Sequence, residues 1–176
     1  MTPIDFTKFE GQVMLTADRR RGVWASQVIL NHAKSVRTAG QAPTSTSAHG
    51  LQTLALVNAL KGISKRQARY AGSDRLTNKT SLLIVTTDPT FSDALRALIA
   101  RDRATLGAKP FRAGRNLFAL LARELARFEV TLETDLEDAK YQFRALSNWA
   151  KLQVRDPREI EKLPKILSPV AVAHVV

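Results

Sequence analysis

Two aspartates, a residue type that can bind a cation or transfer a proton, each follow a predicted strand. Asp18 follows the alternating segment 12–17, which predicts a strand, and Asp88 follows the apolar run 81–87, which is typical of a central strand. The alternatives are structural: Asp18 ends a strand before a turn, and Asp88, followed by Pro89, caps a helix.

Other kinds of site find no support in the sequence. The chain has no cysteine, which excludes disulfides, thiolate metal sites and a cysteine nucleophile. The three histidines, His32, His49 and His174, are scattered and lack metal-ligand spacing. There is no glycine-rich phosphate loop and no nucleophile elbow.

The net charge of +11 and the pI of about 10.6 favour a polyanionic partner, most commonly nucleic acid. No Asp or Glu occurs between Arg19 and Ser73, so the positive charge is unevenly distributed. The alternatives are a solvated basic surface or a protein buried in a larger assembly. The candidate nucleic-acid-binding residues are Arg19, Arg20 and Arg21 beside Asp18, Lys65, Arg66 and Arg69 in a predicted loop, and Arg112, Arg115, Arg123 and Arg127 along a predicted helix.

That helix face has an alternative interpretation, a solvated surface paired in part with Glu124. Trp24 and Trp149 both fall on predicted core elements. They are therefore predicted to pack in the core and not to stack on bases.

The elements that must position these residues follow from periodicity and turn signals. Gly62 is predicted to end the first helix, and residues 64–80 are predicted to be irregular. One α/β domain over residues 1–154, with a proline-containing tail over 155–176, is expected. Strands are predicted at 12–17, 23–30, 34–38, 81–87 and 128–132, a loop at 40–49, and helices at 51–61, from Asp88-Pro89 onward, at 111–127 and at 136–154.

The order of three strands, a helix, a strand, helices, a strand and a helix argues for a mixed sheet flanked by helices. Across residues 11–151 that order resembles ribonuclease H. The segments that carry the resemblance are QVMLTAD (12–18), GVWASQVIL (22–30), LLIVTTDPTFSDAL (82–95) and RALSNWAK (144–151). It implies a ribonuclease H-like mixed five-stranded sheet, in which a three-strand antiparallel meander is joined by two parallel strands.

Ribonuclease H cuts the RNA strand of a hybrid with two Mg²⁺ ions held by four acids, and the resemblance places Asp18 and Asp88 at two of those positions. Gln52 falls where the family has a helical Glu, and Ser147 or Asn148 falls where it has the last Asp. A family histidine is also absent from segment 132–139. Two carboxylates balance the charge of two metals poorly. We therefore expect weak binding of a single Mg²⁺ at Asp18 and Asp88, or none, and no other cofactor.

These observations favour a non-catalytic ribonuclease H-like module that binds RNA, DNA or a hybrid within a nucleoprotein complex. One alternative is a divergent metal-dependent ribonuclease H-type nuclease with a rearranged third acid. Another is a structural subunit whose tail, residues 163–176, adds an edge strand to a partner or to a second copy; the same tail could instead pack on its own chain. Candidates for the rearranged acid are Asp93, Glu133, Asp135 and Asp138.

The sequence offers no sign of export or membrane insertion. Residues 1–10 are polar, and no apolar run approaches the ~20 residues that a membrane span needs. We expect a cytoplasmic protein, or one in a compartment that contains nucleic acid, that is neither secreted nor in contact with a membrane.

Overall fold

The computed structural model describes residues 6–31, 34–70, 79–100, 115–134, 137–154 and 171–175 of the chain. Its strands are β1 (Gly11–Asp18), β2 (Val23–Leu30), β3 (Val36–Gln41), β4 (Thr80–Thr86), β5 (Phe128–Thr134) and β6 (Ala171–Val175). Its helices are α1 (Ala48–Tyr70), α2 (Pro89–Ala100), α3 (Arg115–Leu125) and α4 (Lys140–Gln153), with short 3-10 turns at Phe6–Lys8 and Glu137–Ala139.

The six strands form one sheet in the order β5-β4-β1-β2-β3-β6. Strands β1, β2 and β3 are an antiparallel meander, whereas β4 and β5 run parallel to β1. The predicted ribonuclease H-like sheet of five strands, three antiparallel and two parallel, is therefore confirmed, and β6 adds a sixth strand.

Helices cover both faces of the sheet, and β1 and β4 send alternate side chains into the two resulting cores. Leu15 and Ile84 pack into one core, which is shared with α1, α2 and α3. Met14 and Val85 pack into a second core against α4. A central strand with two covered faces needs apolar residues at consecutive positions, which explains the unbroken run in β4.

The turn between β1 and β2 depends on Gly22. Its φ of 63° lies in the left-handed region, and a Cβ at this position would collide with the carbonyl oxygen of Ala42. The backbone of the turn is closed by hydrogen bonds from the Arg21 N–H to the Asp18 carbonyl and from the Gly22 N–H to the Arg19 carbonyl, both at 3.3 Å. Three arginines thus occupy a tight, fixed turn directly after Asp18.

The first helix is much longer than predicted. Gly62, the predicted C-cap, lies inside α1, so the prediction of a loop at Lys65, Arg66 and Arg69 is wrong. The helix continues because Ile63 is buried in the first core and Gln67 Nε2 donates to Thr80 Oγ1. These tertiary contacts outweigh the modest helix propensity of one glycine.

Other boundaries shift by smaller amounts. The third strand is Val36–Gln41 and not 34–38, and the last helix begins at Lys140 after a 3-10 turn. The predicted start of a helix at Asp88-Pro89 is confirmed, since α2 begins at Pro89. Residues 111–114 of the predicted helix 111–127 lie outside the described residues, and its described part is α3.

The end of the tail pairs with the chain's own sheet. Strand β6 runs antiparallel to β3, with Val175 opposite Val36 and Ala171 opposite Gly40. The sequence left open whether the tail pairs with a partner or packs on its own chain. Residues 171–175 pair with β3 of their own chain. The division into a domain over 1–154 and a tail over 155–176 remains a prediction.

Trp24 is buried as predicted, with 1% of its surface exposed. Trp149 is half-buried against the second core, and the Arg37 guanidinium lies 6.0 Å from its ring centroid. Among the helices of the described ranges, none has the length and hydropathy to cross a membrane.

Candidate functional site at the carboxyl ends of β1 and β4

Asp18 and Asp88 lie at the same edge of the sheet. Strands β1 and β4 are parallel neighbours, with Leu15 opposite Thr86. Asp18 is the last residue of β1, and Asp88 follows shortly after the end of β4. Because neighbouring strands are about 4.8 Å apart, the two aspartates follow adjacent strands at the same end of the sheet.

Asp88 is the N-cap of α2. Its Oδ1 accepts hydrogen bonds from the backbone N–H groups of Thr90 (3.0 Å) and Phe91 (3.1 Å) and from the Thr90 hydroxyl (2.6 Å). Burial tends to raise the pKa of Asp88, but these hydrogen bonds, together with nearby His49, hold the pKa below its usual value. The structural role that the sequence offered for Asp88 is therefore present, and it occupies one carboxylate oxygen.

The second oxygen of Asp88 faces Gln52 on α1. Gln52 is 5% exposed, and its Nε2 donates to Asp88 Oδ2 at 3.0 Å. Its Oε1 accepts a hydrogen bond from the hydroxyl of Thr86, at 2.5 Å. A carboxylate only accepts, so the amide nitrogen must face Asp88 and the amide oxygen must face Thr86. Gln52, where the resemblance implies a Glu, therefore lies beside Asp88, with its amide oriented by two hydrogen bonds.

His49 also lies beside Asp88, and sequence analysis missed it. Its Nε2 is 2.9 Å from Thr90 Oγ1 and 3.7 Å from Asp88 Oδ2. The Thr90 hydroxyl donates its proton to Asp88, so it accepts one from His49 Nε2. His49 precedes Gln52 by one turn on the same face of α1, but the sequence predicted a loop at residue 49, so no helical spacing could be read there.

Asp18 faces the opposite helix layer. Its Oδ1 accepts the backbone N–H of Arg20 at 3.0 Å, and its Oδ2 lies 3.8 Å from Nζ of Lys151 on α4. The pair is partly shielded, with 24% of the Asp18 side chain and 37% of the Lys151 side chain exposed. Lys151 was also missed, although it follows Ser147 by one helical turn and shares its face.

The described residues do not fit the Mg²⁺ ions that the resemblance implies. Three of the four oxygens of Asp18 and Asp88 accept hydrogen bonds from this chain, and the fourth faces an ammonium group. Where side chains are described, no three or more acidic, His or Cys residues gather into a group that could hold a metal. Of the acids named as alternative ligands, Asp93 is exposed and bonded to Arg96 at 3.0 Å. Asp135 and the side chain of Asp138 lie outside the described residues.

Among the predicted basic residues whose side chains the structure describes, three directly follow Asp18. Arg19, Arg20 and Arg21 are exposed on the turn that follows Asp18. Lys65 and Arg66 lie on α1, and Lys65 is about 20 Å along the helix from Gln52, given a rise of 1.5 Å per residue. Arg112 and the side chains of Arg69 and Arg115 lie outside the described residues.

The α3 arginines interact locally. Arg123 and Arg127 are exposed and lie 3.8 Å and 3.6 Å from the oxygens of Glu124. These contacts agree with the alternative of a solvated arginine face paired in part with Glu124, although Glu124 itself is only 3% exposed. It lies on the inner side of α3, next to Leu121 and Leu125, which pack into the first core.

Helix α4 carries a basic row that sequence analysis missed. Lys140, Arg144 and Lys151 lie at i, i+4 and i+11, on the same helix face as Ser147 at i+7. Residues 140–153 contain no acid. The row is about 16 Å long. Its Lys151 end contacts Asp18, which places the row next to the arginine turn.

No protein-family model and no curated protein matches this chain. Among solved structures, the chain is similar to the foamy viral protease-reverse transcriptase in complex with an RNA/DNA hybrid, with 11% sequence identity and a TM-score of 0.42. The match covers 88% of this chain and 21% of that one, so this chain spans about a fifth of the matched protein. Nothing about activity or partners follows from a likeness at this level.

Proposed function

We propose that this chain is a non-catalytic ribonuclease H-like module that binds RNA, DNA or an RNA-DNA hybrid through one basic surface. The observation that carries the proposal is the contact of Lys151 with Asp18, which joins the arginine turn to the basic row of α4. We call this the turn–helix surface. It consists of Arg19, Arg20, Arg21, Lys140, Arg144 and Lys151.

The charge of the turn–helix surface favours a polyanion. Its six cations are accompanied by Asp18, paired with Lys151, and by Glu137, paired with Lys140 at 2.8 Å. A row about 16 Å long is long enough to contact several successive phosphates of one strand. Such contacts give affinity without reading sequence, because phosphates are the same at every position.

We propose a module without catalytic activity because both aspartates contact donors of this chain. Two-metal hydrolysis needs several carboxylates free to bind cations about 3.5–4 Å apart. At two positions where the resemblance implies acids, Gln52 carries an amide and Ser147 carries a hydroxyl. Asp88, one of the two aspartates present, caps α2. Hydrogen bonds and one ammonium group occupy the oxygens that metal ions would need.

The binding part is tested by a salt titration with labelled single-stranded RNA, single-stranded DNA and an RNA-DNA hybrid. Log affinity should fall with log salt concentration, by about 0.7–0.9 per phosphate contacted. The variant R19A/R20A/R21A should bind more weakly with a shallower slope. K61A/K79A/R96A removes the same charge from exposed positions elsewhere and should bind as the original chain does. Equal losses in both variants would contradict the proposed surface.

The non-catalytic part is tested separately. The purified chain should cleave none of these substrates, nor duplex DNA, in Mg²⁺ or Mn²⁺. Metal-dependent cleavage that disappears in Asp18→Asn would establish the divergent nuclease instead, whatever the binding titration shows.

A further inference from the structure

The two aspartates of the sheet edge are each met by a donor from a different helix. Lys151 Nζ of α4 lies 3.8 Å from Asp18 Oδ2, and Gln52 Nε2 of α1 lies 3.0 Å from Asp88 Oδ2. These helices cover opposite faces of the sheet. Each aspartate therefore has a donor from this chain beside one of its carboxylate oxygens.

We propose that Lys151 is a built-in cation that replaces a divalent metal at Asp18 and keeps the edge closed to Mg²⁺. This inference goes beyond nucleic-acid binding and does not depend on it. It assigns to Lys151 the charge neutralisation that the resemblance would give to a metal ion.

The position of Lys151 is fixed by the packing of its helix. Phe143, Leu146 and Ala150 of α4 are buried in the second core, so the backbone that carries Lys151 is anchored against the sheet. The Lys151 side chain is 37% exposed, so more than half of its surface is covered by the rest of the chain. A Mg²⁺ ion needs near-octahedral coordination and gives up water reluctantly, so it competes poorly with a cation already in place.

Gln52 completes the exclusion on the other side. Its amide supplies a donor to Asp88, and the same amide accepts from Thr86. A glutamate at this position would turn that donor into a second carboxylate facing Asp88. The edge would then carry excess negative charge, which a divalent ion could neutralise.

The test measures binding of Mn²⁺ to the full chain without nucleic acid. Bound metal is measured as loss of the electron paramagnetic resonance signal of free Mn²⁺, and thermal unfolding is measured at matched ionic strength. The original chain should bind no Mn²⁺ at the edge and should show no shift in melting temperature. Q52E/K151A should gain a Mn²⁺ site with at least about tenfold higher affinity, since one opposing charge is removed and one ligand is added. Its melting temperature should rise with Mn²⁺ and fall again with a chelator.

The matched control is K61A/Q142E, which makes the same two kinds of change at exposed positions of α1 and α4. It should respond to Mn²⁺ as the original chain does. The single variant K151A, at a partly exposed position, serves if the double variant does not fold, and it should show the same gain at smaller amplitude.

Two results would overturn the proposal. One is a Mn²⁺ site in the original chain that Asp18→Asn removes, because Lys151 would then not exclude the metal. The other is the absence of any gain in folded K151A or Q52E/K151A. Neither result bears on nucleic-acid affinity, which is measured separately.

Discussion

Gln52 Nε2 donates a hydrogen bond to Asp88 Oδ2 at 3.0 Å, at the position where the resemblance implies a second carboxylate. An amide at this position, in place of a carboxylate, changes the charge that surrounds Asp88. Two facing carboxylates repel each other unless a cation or a shared proton lies between them, whereas an amide donates a hydrogen bond to a carboxylate without any added charge. The edge can therefore be stable with no metal ion.

Gln52→Glu should destabilise the chain by roughly 2–4 kcal/mol at neutral pH, because it buries a second negative charge beside Asp88. Urea unfolding monitored by tryptophan fluorescence measures the loss. Gln142→Glu makes the same change at an exposed position of α4 and should stay within about 0.5 kcal/mol of the original chain. Equal stability of Gln52→Glu and the original chain would contradict the amide–carboxylate pairing.

Asp88→Ala should cost about 1–2 kcal/mol, because the first N–H groups of α2 lose their acceptor. Asp88→Asn should retain most of that stability, since asparagine is an equally good N-cap. The comparison is made by chemical denaturation of the three proteins under one condition. If the Ala and Asn variants lost the same amount, capping would not be the role of this residue.

The lowered pKa of Asp88 predicts a specific dependence of stability on pH. A carboxyl group whose pKa is depressed in the folded state stabilises the fold above its unfolded value, near 3.8, and that contribution is lost as pH falls through the folded pKa. The difference in unfolding free energy between the original chain and Asp88→Asn should therefore shrink as the solution is acidified below about pH 4.

Thr90→Val is the companion to that experiment, because it removes the hydroxyl donor to Asp88 and leaves the backbone bonds in place. It should weaken the pH dependence without abolishing it. Parallel profiles for the original chain and Asp88→Asn would show that this carboxyl group does not contribute.

The sheet could be predicted because its evidence is local. The apolar run of β4 predicts a strand covered on both faces, and the Asp88-Pro89 pair predicts the start of α2. The alternation in β1 predicts the strand but not its burial, since Met14 is as buried as Val13 and Leu15. The adjacency of Asp18 and Asp88 followed from that strand order.

The partners of the two aspartates could not be predicted in the same way. Lys151 reaches Asp18 only because α4 packs across β1 and β2, and a helical pattern does not state where along the sheet a helix lies. His49 fell in a segment that was predicted as loop, so its spacing from Gln52 carried no meaning until α1 was seen to begin at Ala48. Gly62 misled because a glycine after an apolar helix is typical of a C-cap, yet burial of Ile63 carries the helix past it.

Two glycine substitutions should have opposite effects. Gly62→Ala should stabilise the chain by about 0.5–1 kcal/mol, because Gly62 is an exposed residue inside α1 and an added Cβ meets nothing within 4 Å. Gly22→Ala should destabilise it, since Gly22 has a φ of 63° and its Cβ would collide with Ala42. Thermal unfolding of both variants checks the signs. A destabilising Gly62→Ala would mean that α1 ends at residue 62 after all.

Arg20→Ala tests the turn without disturbing its backbone, because the hydrogen bond of Arg20 to Asp18 comes from the main-chain N–H. If its guanidinium contacts one phosphate, the variant should bind all nucleic acids more weakly by a similar factor, and the salt slope should fall by about one contact. Lys61→Ala is the control, since Lys61 is exposed on α1, across the sheet from α4. A loss confined to one sequence or one type of nucleic acid would indicate base contacts instead, and a loss in Lys61→Ala as large as in Arg20→Ala would move the interface away from the turn.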